Sequence, residues 1–233
     1  MIPHHEPDAA TGLAGRRAQR RGRSPLILAA LSLLAFALVL ILVVLGDTTA
    51  FDLRLTLDWQ HVRLPGLLPL MQAVSWVGFT PQATYLGGGI LLLLLALRLR
   101  LEAFFALLAF LCGMLSGAIK AAVARPRPVA VEGLIVEFPV GGYSFPSGHV
   151  LTYVLFCGFL AYLAYTLVRW RPLRWGLLTL LLGLIALVGP SRVYLGQHWA
   201  TDTLASYFLG TAILLALLGL YRAAKARQLA TTP

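Results

Sequence analysis

The feature that most constrains the fold of this chain is a series of long apolar runs. The first run, residues 25–45, has 21 residues and no charged side chain. At a rise of about 1.5 Å per residue, a helix of this length crosses a hydrocarbon core about 30 Å thick. Five more runs predict five more spans, at residues 82–97, 103–124, 150–168, 175–189 and 203–221. The predicted fold is therefore all-α, a polytopic membrane protein with six transmembrane helices.

The composition agrees with a membrane protein. Hydrophobic residues make up 59% of the chain and charged residues only 12%, whereas soluble domains carry about 25% charged residues. This balance excludes a disordered chain and a disulfide-stapled secreted domain. Cys112 and Cys157 both lie inside apolar runs, and we interpret them as inert buried thiols. Residues 46–80, which contain Pro65 and Pro69, are predicted to form an outer amphipathic loop region.

The distribution of basic residues predicts that both termini are cytoplasmic. With the N-terminus inside, 13 of the 19 Lys and Arg residues fall in cytoplasmic segments and six fall outside, in line with the positive-inside rule. Residues 1–24 are then a disordered basic cytoplasmic tail, residues 25–222 a six-span domain and residues 223–233 a second cytoplasmic tail. A net charge of +10 can indicate nucleic-acid binding. Here the basic residues flank apolar runs, so we expect the bilayer as partner and no nucleic acid.

Three polar clusters interrupt the apolar chain, and the six-span topology puts all three on the outer face. Ionisable residues at or within spans are costly, and function is the usual reason to keep them. We therefore predict one shared site, with residues 125–147 as its outer loop. The clusters contain Lys120, Arg125 and Arg127; Ser144, Pro146, Ser147, Gly148 and His149; and Ser191, Arg192, His198 and Asp202.

Five of these residues suit an anion with several oxygens. The guanidinium groups of Arg127 and Arg192 match phosphate oxygens in shape, and Lys120 adds a point charge. Ser147 and Gly148 stand where a helix is predicted to begin, and the free N–H groups of a first helical turn favour an anion. Taken singly, the basic residues could be snorkelling anchors and Ser147 a helix cap. Their combination on one face predicts a phosphate site.

Two histidines can supply the chemistry. His198 and Asp202 are four residues apart, so on a helix they share a face. The carboxylate can then hold one imidazole nitrogen and leave the other free to attack, and His149 is a second acid–base group. Asp202 is the only acid in the clusters, while Glu132 and Glu137 lie in the intervening loop. We therefore expect no metal and no cofactor, because the Lys and Arg side chains can stabilise the negative charge that a metal ion would otherwise stabilise.

Together the motifs resemble a known family signature. Lys-x6-Arg-Pro at 120–128, Pro-Ser-Gly-His at 146–149 and Ser-Arg-x5-His-x3-Asp at 191–202 resemble the three-part signature of the type 2 phosphatidic acid phosphatase superfamily. This superfamily includes lipid phosphatases and the soluble vanadium haloperoxidases. The resemblance extends over residues 25–222.

The resemblance implies a metal-independent phosphatase with an all-helical core. It implies His198 as the nucleophile that forms a phosphohistidine, Asp202 as its orienting carboxylate and His149 as the general acid. Arg125 is outside the signature, and we interpret it as a possible headgroup contact. The residues implied to hold the phosphoryl oxygens are Lys120, Arg127, Ser147, Gly148 and Arg192.

The expected function is hydrolysis of a lipid phosphate or diphosphate in a cell membrane, most simply a bacterial inner membrane, with the site facing the periplasm or exterior. Phosphatidic acid, phosphatidylglycerol phosphate and undecaprenyl diphosphate all fit, and the oligomeric state is open. Lateral entry from the bilayer past residues 51–79 is the expected route. A lipid-diphosphate phosphotransferase is an alternative, although no acceptor site is marked. A transporter fits poorly because the charges cluster at one face, and a haloperoxidase because those relatives are soluble.

Overall fold

The structure, a computed structural model, describes residues 9–130 and 133–231. Residues 1–8 of the predicted basic tail, Glu132 and residues 232–233 lie outside the described residues. The regular elements within the described ranges are helical, as the apolar runs predict. In chain order they are α1 (Ala9–Leu45), α2 (Thr49–His61), α3 (Leu67–Val77), α4 (Thr80–Ala96), α5 (Arg100–Gly113), α6 (Ser116–Val123), α7 (Gly148–Thr152), a π-helical turn (Tyr153–Cys157), α8 (Gly158–Leu167), α9 (Arg171–Tyr194) and α10 (Ala200–Thr231).

Five helical segments are long and apolar enough to cross a membrane. They are Ser24–Leu45, Arg100–Val123, Gly148–Leu167, Arg171–Tyr194 and Ala200–Ala230. The predicted span at 82–97 corresponds to α4, whose 17 residues extend about 25 Å and fall short of a hydrocarbon core of ~30 Å. α4 follows α3 after a bend of 62°, and the pair is apolar enough for a sixth, broken span. The described residues thus contain five or six candidate spans, and the number six stays a prediction.

Helix α9 continues past its predicted end. The predicted span stops at Gly189, just before Pro190, yet the helix runs on to Tyr194. A proline inside a helix lacks the N–H that would bond to the preceding turn. Here the carbonyl left without that donor is Ala186, and the Tyr207 hydroxyl of α10 lies 3.3 Å from it. The same hydroxyl donates to the Ile185 carbonyl at 2.6 Å and accepts from the Gly189 N–H at 3.0 Å. The basic residue of the third polar cluster consequently lies in the last turn of a helix.

Helix α10 is the centre of the packing. α1 packs along it more extensively than any other pair of helices, and α5, α7 and α9 also contact it. One core cluster joins α5, the π-helical turn, α8 and α10 through residues that include Phe105, Leu155, Phe159 and Tyr221. A second joins α3, α7, the π-helical turn and α9 through Val74, Val150, Tyr153 and Val188. The second core fixes α7 and α9, which carry parts of the second and third polar clusters.

The predicted outer loop region forms α2 and α3, and both helices pack against α9. Gln60 of α2 is buried and donates to the carbonyls of Ile135 and Tyr194 at 2.7 and 2.9 Å. Its side-chain carbonyl accepts from the Ile135 N–H at 3.0 Å. This side chain therefore ties α2 both to the end of α9 and to the loop that precedes α7.

Candidate active site

The structure brings all eight predicted site residues together. Arg127 Nη1 lies 3.2 Å from His198 Nε2, and the Ser147 N–H donates to the Asp202 carbonyl at 3.4 Å. Four pieces of chain supply the residues. Lys120 comes from α6, Arg127 from the loop after α6, Ser147, Gly148 and His149 from the N-terminal end of α7, and Arg192, His198 and Asp202 from the corner between α9 and α10.

His198 and Asp202 pair as their spacing predicts, although His198 is not helical. α10 begins at Ala200, so His198 lies in the turn before it. The His198 Nδ1 to Asp202 Oδ2 distance is 3.5 Å, and both side chains are buried. Asp202 Oδ2 also accepts from the Trp199 N–H at 2.9 Å, which is the back-reaching bond of a helix-capping carboxylate. The Asp202 carboxylate thus both caps the N-terminus of α10 and orients the His198 imidazole.

Ser144 is a third member of this pair that the motif analysis assigned no role. Its hydroxyl donates to Asp202 Oδ2 and lies 3.4 Å from His198 Nδ1. The side chain is fully buried. Ser144 therefore constrains the carboxylate from the side of the outer loop.

Nε2 is the imidazole nitrogen of His198 that does not face Asp202. That atom faces Arg127 Nη1, and a guanidinium has only N–H donors. Nε2 therefore carries the lone pair, and the proton is on Nδ1, which faces Asp202. Arg127 is held in place by the carbonyls of Gln197 at 2.6 Å and Gly142 at 3.2 Å. The arrangement presents a neutral imidazole with its nucleophilic nitrogen toward the cations.

Burial lowers the pKa of His198 from 6.5 to about 3. Loss of solvation is the largest cause, and Arg192 and Arg127 lower the pKa further, while Asp202 opposes them. Burial also lowers the pKa of Arg127, but an arginine remains charged at neutral pH. The site thus combines an uncharged histidine with charged guanidinium groups.

Three buried polar atoms at the site lack a hydrogen-bond partner within the described part of the chain: Ser147 Oγ, His149 Nε2 and Arg192 Nε. Each unmet buried group costs about 1–3 kcal/mol. Arg192 is otherwise fixed by Ser75 of α3, 2.5 Å from its Nη1, and by the ring of Phe79. A bound group with several oxygens could satisfy all three atoms.

Lys120 and Gly148 complete the cluster. Lys120 Nζ donates to the carbonyls of Tyr143 and Ser144 at 2.6 and 3.2 Å, and the third ammonium proton is left for another acceptor. Its charged neighbours are Arg127, Asp202 and Arg192. Gly148 packs against Ser116, whose Oγ would lie 2.9 Å from a Cβ at residue 148. A side chain there would push into the neighbouring helix.

Arg125 is buried and paired with two carboxylates, so its interpretation as a headgroup contact is wrong. Its side chain is 9% exposed. Nη1 donates to Asp202 Oδ1 at 2.6 Å, and Nη2 donates to Asp52 Oδ2 at 2.6 Å. The two buried carboxylates give the buried guanidinium the partners that a charge inside a protein requires.

A large apolar cavity of about 780 Å³ is lined by Val193 and Thr201, which are the sequence neighbours of Arg192 and Asp202, but by none of the eight site residues. It lies between α2, α3, α9 and α10, and its wall includes Phe51, Leu55, Trp59, Met71 and Leu204. Thr201 also lines the cavity, and its hydroxyl accepts from Arg125 Nη1 at 2.8 Å. The predicted outer loop region therefore supplies much of an apolar wall that Arg125 connects, through Thr201, to the Asp202 carboxylate. In the described residues, no group of three or more His, Cys, Asp or Glu side chains could hold a metal ion.

Comparison with known proteins decides the family. The family model of the PAP2 superfamily matches residues 101–226, more than half of the chain. The chain belongs to the PAP2 superfamily. Its fold is similar to the crystal structure of the first transmembrane PAP2 type phosphatidylglycerolphosphate phosphatase from Bacillus subtilis, with a TM-score of 0.74 and 23% identity over 86% of this chain and 97% of that one. It is also similar to Aquifex aeolicus LpxE, with a TM-score of 0.57 and 20% identity over 72% and 94% of the two chains.

This PAP2 chain accordingly has the fold of PAP2-type membrane lipid phosphatases and is a multi-pass membrane protein. At these identities the two structures establish the fold alone. The match to the family covers all three motifs that carry the resemblance.

Proposed function

We propose that this PAP2 protein hydrolyses a membrane lipid phosphate or diphosphate through a phosphohistidine on His198. One observation carries the proposal: His198 Nε2 faces Arg127 at 3.2 Å while Nδ1 faces Asp202 at 3.5 Å. The imidazole is thus neutral and oriented, with its lone pair toward a group of cations. Nucleophilic catalysis requires both features.

In the first step, the His198 Nε2 lone pair attacks phosphorus. An N–P bond forms and the bond from phosphorus to the leaving oxygen breaks. Lys120, Arg127 and Arg192 hold the non-bridging oxygens and stabilise the charge that develops on them. The phosphorylated imidazole becomes positive, and the Asp202 carboxylate stabilises it through the Nδ1 proton.

His149 is the proposed general acid. Its Nε2 lacks a partner in the described residues, and its titratable neighbours include Arg192 and His198. A bound phosphate dianion favours the protonated imidazole, which then gives its proton to the leaving oxygen. In the second step His149 takes a proton from water, the resulting oxygen attacks phosphorus and the N–P bond breaks. Phosphate leaves and His198 is restored.

The proposed substrate is a lipid that enters laterally from the outer leaflet. The apolar cavity beside the site supports this route, because a hydrocarbon chain can stay in apolar surroundings while its phosphate reaches His198. Extraction into water would cost about 0.8 kcal/mol for every CH₂ group. The excess of basic residues in the predicted cytoplasmic segments supports a site on the opposite face.

The proposed candidate substrates are phosphatidic acid, phosphatidylglycerol phosphate and undecaprenyl diphosphate. The similarity to the B. subtilis phosphatidylglycerolphosphate phosphatase makes that lipid the first to test. A lipid is proposed to be preferred over a short water-soluble phosphate such as glycerol 3-phosphate, because only the lipid can use the apolar wall.

The test is phosphate release by the purified protein in detergent from these three lipids and from glycerol 3-phosphate. We expect at least one lipid to be hydrolysed, His198→Ala to abolish release, and His61→Ala, at an exposed histidine of α2, to match the wild type. Retained turnover in His198→Ala would overturn the assignment of the nucleophile. Hydrolysis of glycerol 3-phosphate alone would overturn the lipid substrate.

A further inference from the structure

Both oxygens of the Asp202 carboxylate are engaged, but on two different sides. Oδ2 faces His198, Ser144 and the Trp199 N–H, all of which belong to the site described above. Oδ1 accepts from Arg125 Nη1 at 2.6 Å. The orientation of the carboxylate therefore depends on a residue that touches neither His198 nor the phosphate-binding groups.

Arg125 is itself held from the N-terminal part of the chain. Nη2 donates to Asp52 Oδ2 at 2.6 Å and to Thr48 Oγ1 at 2.9 Å. Asp52 is fully buried, and its two oxygens accept from the N–H and the hydroxyl of Thr201 at 2.9 and 2.6 Å. We name Thr48, Asp52, Arg125, Thr201 and Asp202 the Arg125 network. It joins α2, the outer loop and the first turn of α10.

We propose that Arg125 and Asp52 are positioning residues for catalysis, which hold the Asp202 carboxylate in the orientation that orients His198. This inference rests on the proposed function. Because Arg125 binds Oδ1 while Ser144 and the Trp199 N–H bind Oδ2, rotation of the Asp202 carboxylate would break hydrogen bonds to both of its oxygens. Asp52 in turn fixes the Arg125 guanidinium, because the Nη1 and Nη2 donors of one planar group bind Asp202 and Asp52.

The charges of the Arg125 network also bear on catalysis, in addition to holding the chain segments together. Two buried carboxylates share one guanidinium, and burial of a charge without a partner is costly. The positive charge of Arg125 favours Asp202 as a carboxylate, which stabilises the imidazolium formed on attack without taking its proton. Loss of Arg125 should therefore weaken transition-state stabilisation more than substrate binding.

The decisive measurement is the split between kcat and KM with the preferred lipid. A misplacement of about 1 Å at a catalytic group can cost up to about 100-fold in rate, so we expect Arg125→Met and Asp52→Asn to lower kcat by about 10- to 100-fold. KM should stay within about threefold, and Arg125→Lys should recover part of the loss. The double variant should be little worse than Arg125→Met, since both changes break one chain of contacts.

The matched control is Asp47→Asn, which neutralises an exposed aspartate five residues from Asp52 and should leave kcat unchanged. Wild-type kcat in Asp52→Asn and Arg125→Met, while His198→Ala is inactive, would overturn the positioning role and leave the proposed function intact. An inactive wild type would instead overturn the proposed function. If Arg125→Met does not fold, Asp52→Asn and Thr48→Val decide, and wild-type kcat in both overturns the inference.

Discussion

Gly78 lies directly against the imidazole ring of His149. A Cβ at residue 78 would fall 2.4 Å from His149 Cδ2 and 3.1 Å from Nε2. Gly78 follows α3 at the bend before α4, and the next residue, Phe79, packs edge-on against the same ring at 5.1 Å. The residues at the bend between α3 and α4 therefore pack against one side of His149, the proposed general acid.

The first prediction is that Gly78→Ala displaces His149. Because a Cβ at 2.4 Å cannot coexist with the ring, the imidazole must move and proton transfer should suffer, with kcat lower by about 10- to 100-fold. Gly89→Ala, in α4 with no atom near its Cβ position, is the control and should retain wild-type kcat. Steady-state kinetics on the two variants checks this, and equal rates would contradict the assigned place of His149.

The second prediction separates the two histidines by leaving group. His149→Ala should slow hydrolysis of an alkyl lipid phosphate by about 10²–10⁴-fold, the usual worth of general acid catalysis. It should spare enzyme phosphorylation by an aryl phosphate, whose leaving group needs no proton. His198→Ala should abolish phosphorylation by both. Phosphoenzyme trapping with labelled substrates measures this, and an equal loss with both leaving groups would remove the acid role from His149.

The third prediction concerns metal ions and a phosphate mimic. Lys120, Arg127 and Arg192 provide the positive charge of the site, so turnover should persist in EDTA. Orthovanadate should inhibit, because its five-coordinate adduct on His198 imitates the transferring phosphoryl group and transition-state mimics bind tightly. Phosphate release with and without each reagent checks both points. Loss of activity in EDTA with recovery on addition of Mg²⁺ would be the contrary result.

The fourth prediction follows from the pKa of His198, which burial lowers from 6.5 to about 3. Between these values the unfolded chain binds a proton that the folded site excludes. Stability should therefore be lost progressively as the pH falls from about 6.5 toward about 3. His198→Gln removes this titration, so its Tm in detergent should decline less steeply than that of the wild type between about pH 7 and pH 5. Parallel declines would show that His198 is not held neutral.

Five candidate membrane spans could be predicted because apolar length is a local property of the sequence. The end of α9 could not, because the break signalled by Gly189 and Pro190 is cancelled by Tyr207, which comes from another helix. A similar limit applies to α4, which is bent by 62° against α3. The residues at that bend, Gly78 and Phe79, pack against His149, which comes from another part of the chain.

The motifs predicted which residues meet, because their side chains have the chemistry expected of one shared site. They did not predict what supports those residues. Ser75 and Asp52 come from the outer loop region, where no motif marks them, and Arg125 was assigned to the wrong surroundings. One signal was present in the sequence: Asp52, Thr56 and Gln60 are four residues apart and buried on one face of α2. Such a polar stripe on a helix beside apolar segments indicates a buried polar contact.

The last prediction tests the proposed orientation of the site. Gly141 lies exposed in the loop before α7, and a Cβ there meets no neighbouring atom, so Gly141→Cys should be tolerated. In a background with Cys112 and Cys157 replaced by Ala, a membrane-impermeant thiol reagent added to intact cells should label Gly141→Cys and miss Gln228→Cys. After the membrane is permeabilised, both should be labelled. Because positive charge favours the cytoplasmic side, the 13 Lys and Arg residues of the predicted inner segments should keep position 228 inside. Labelling of Gln228→Cys alone in intact cells would invert the topology and place the site in the inner leaflet.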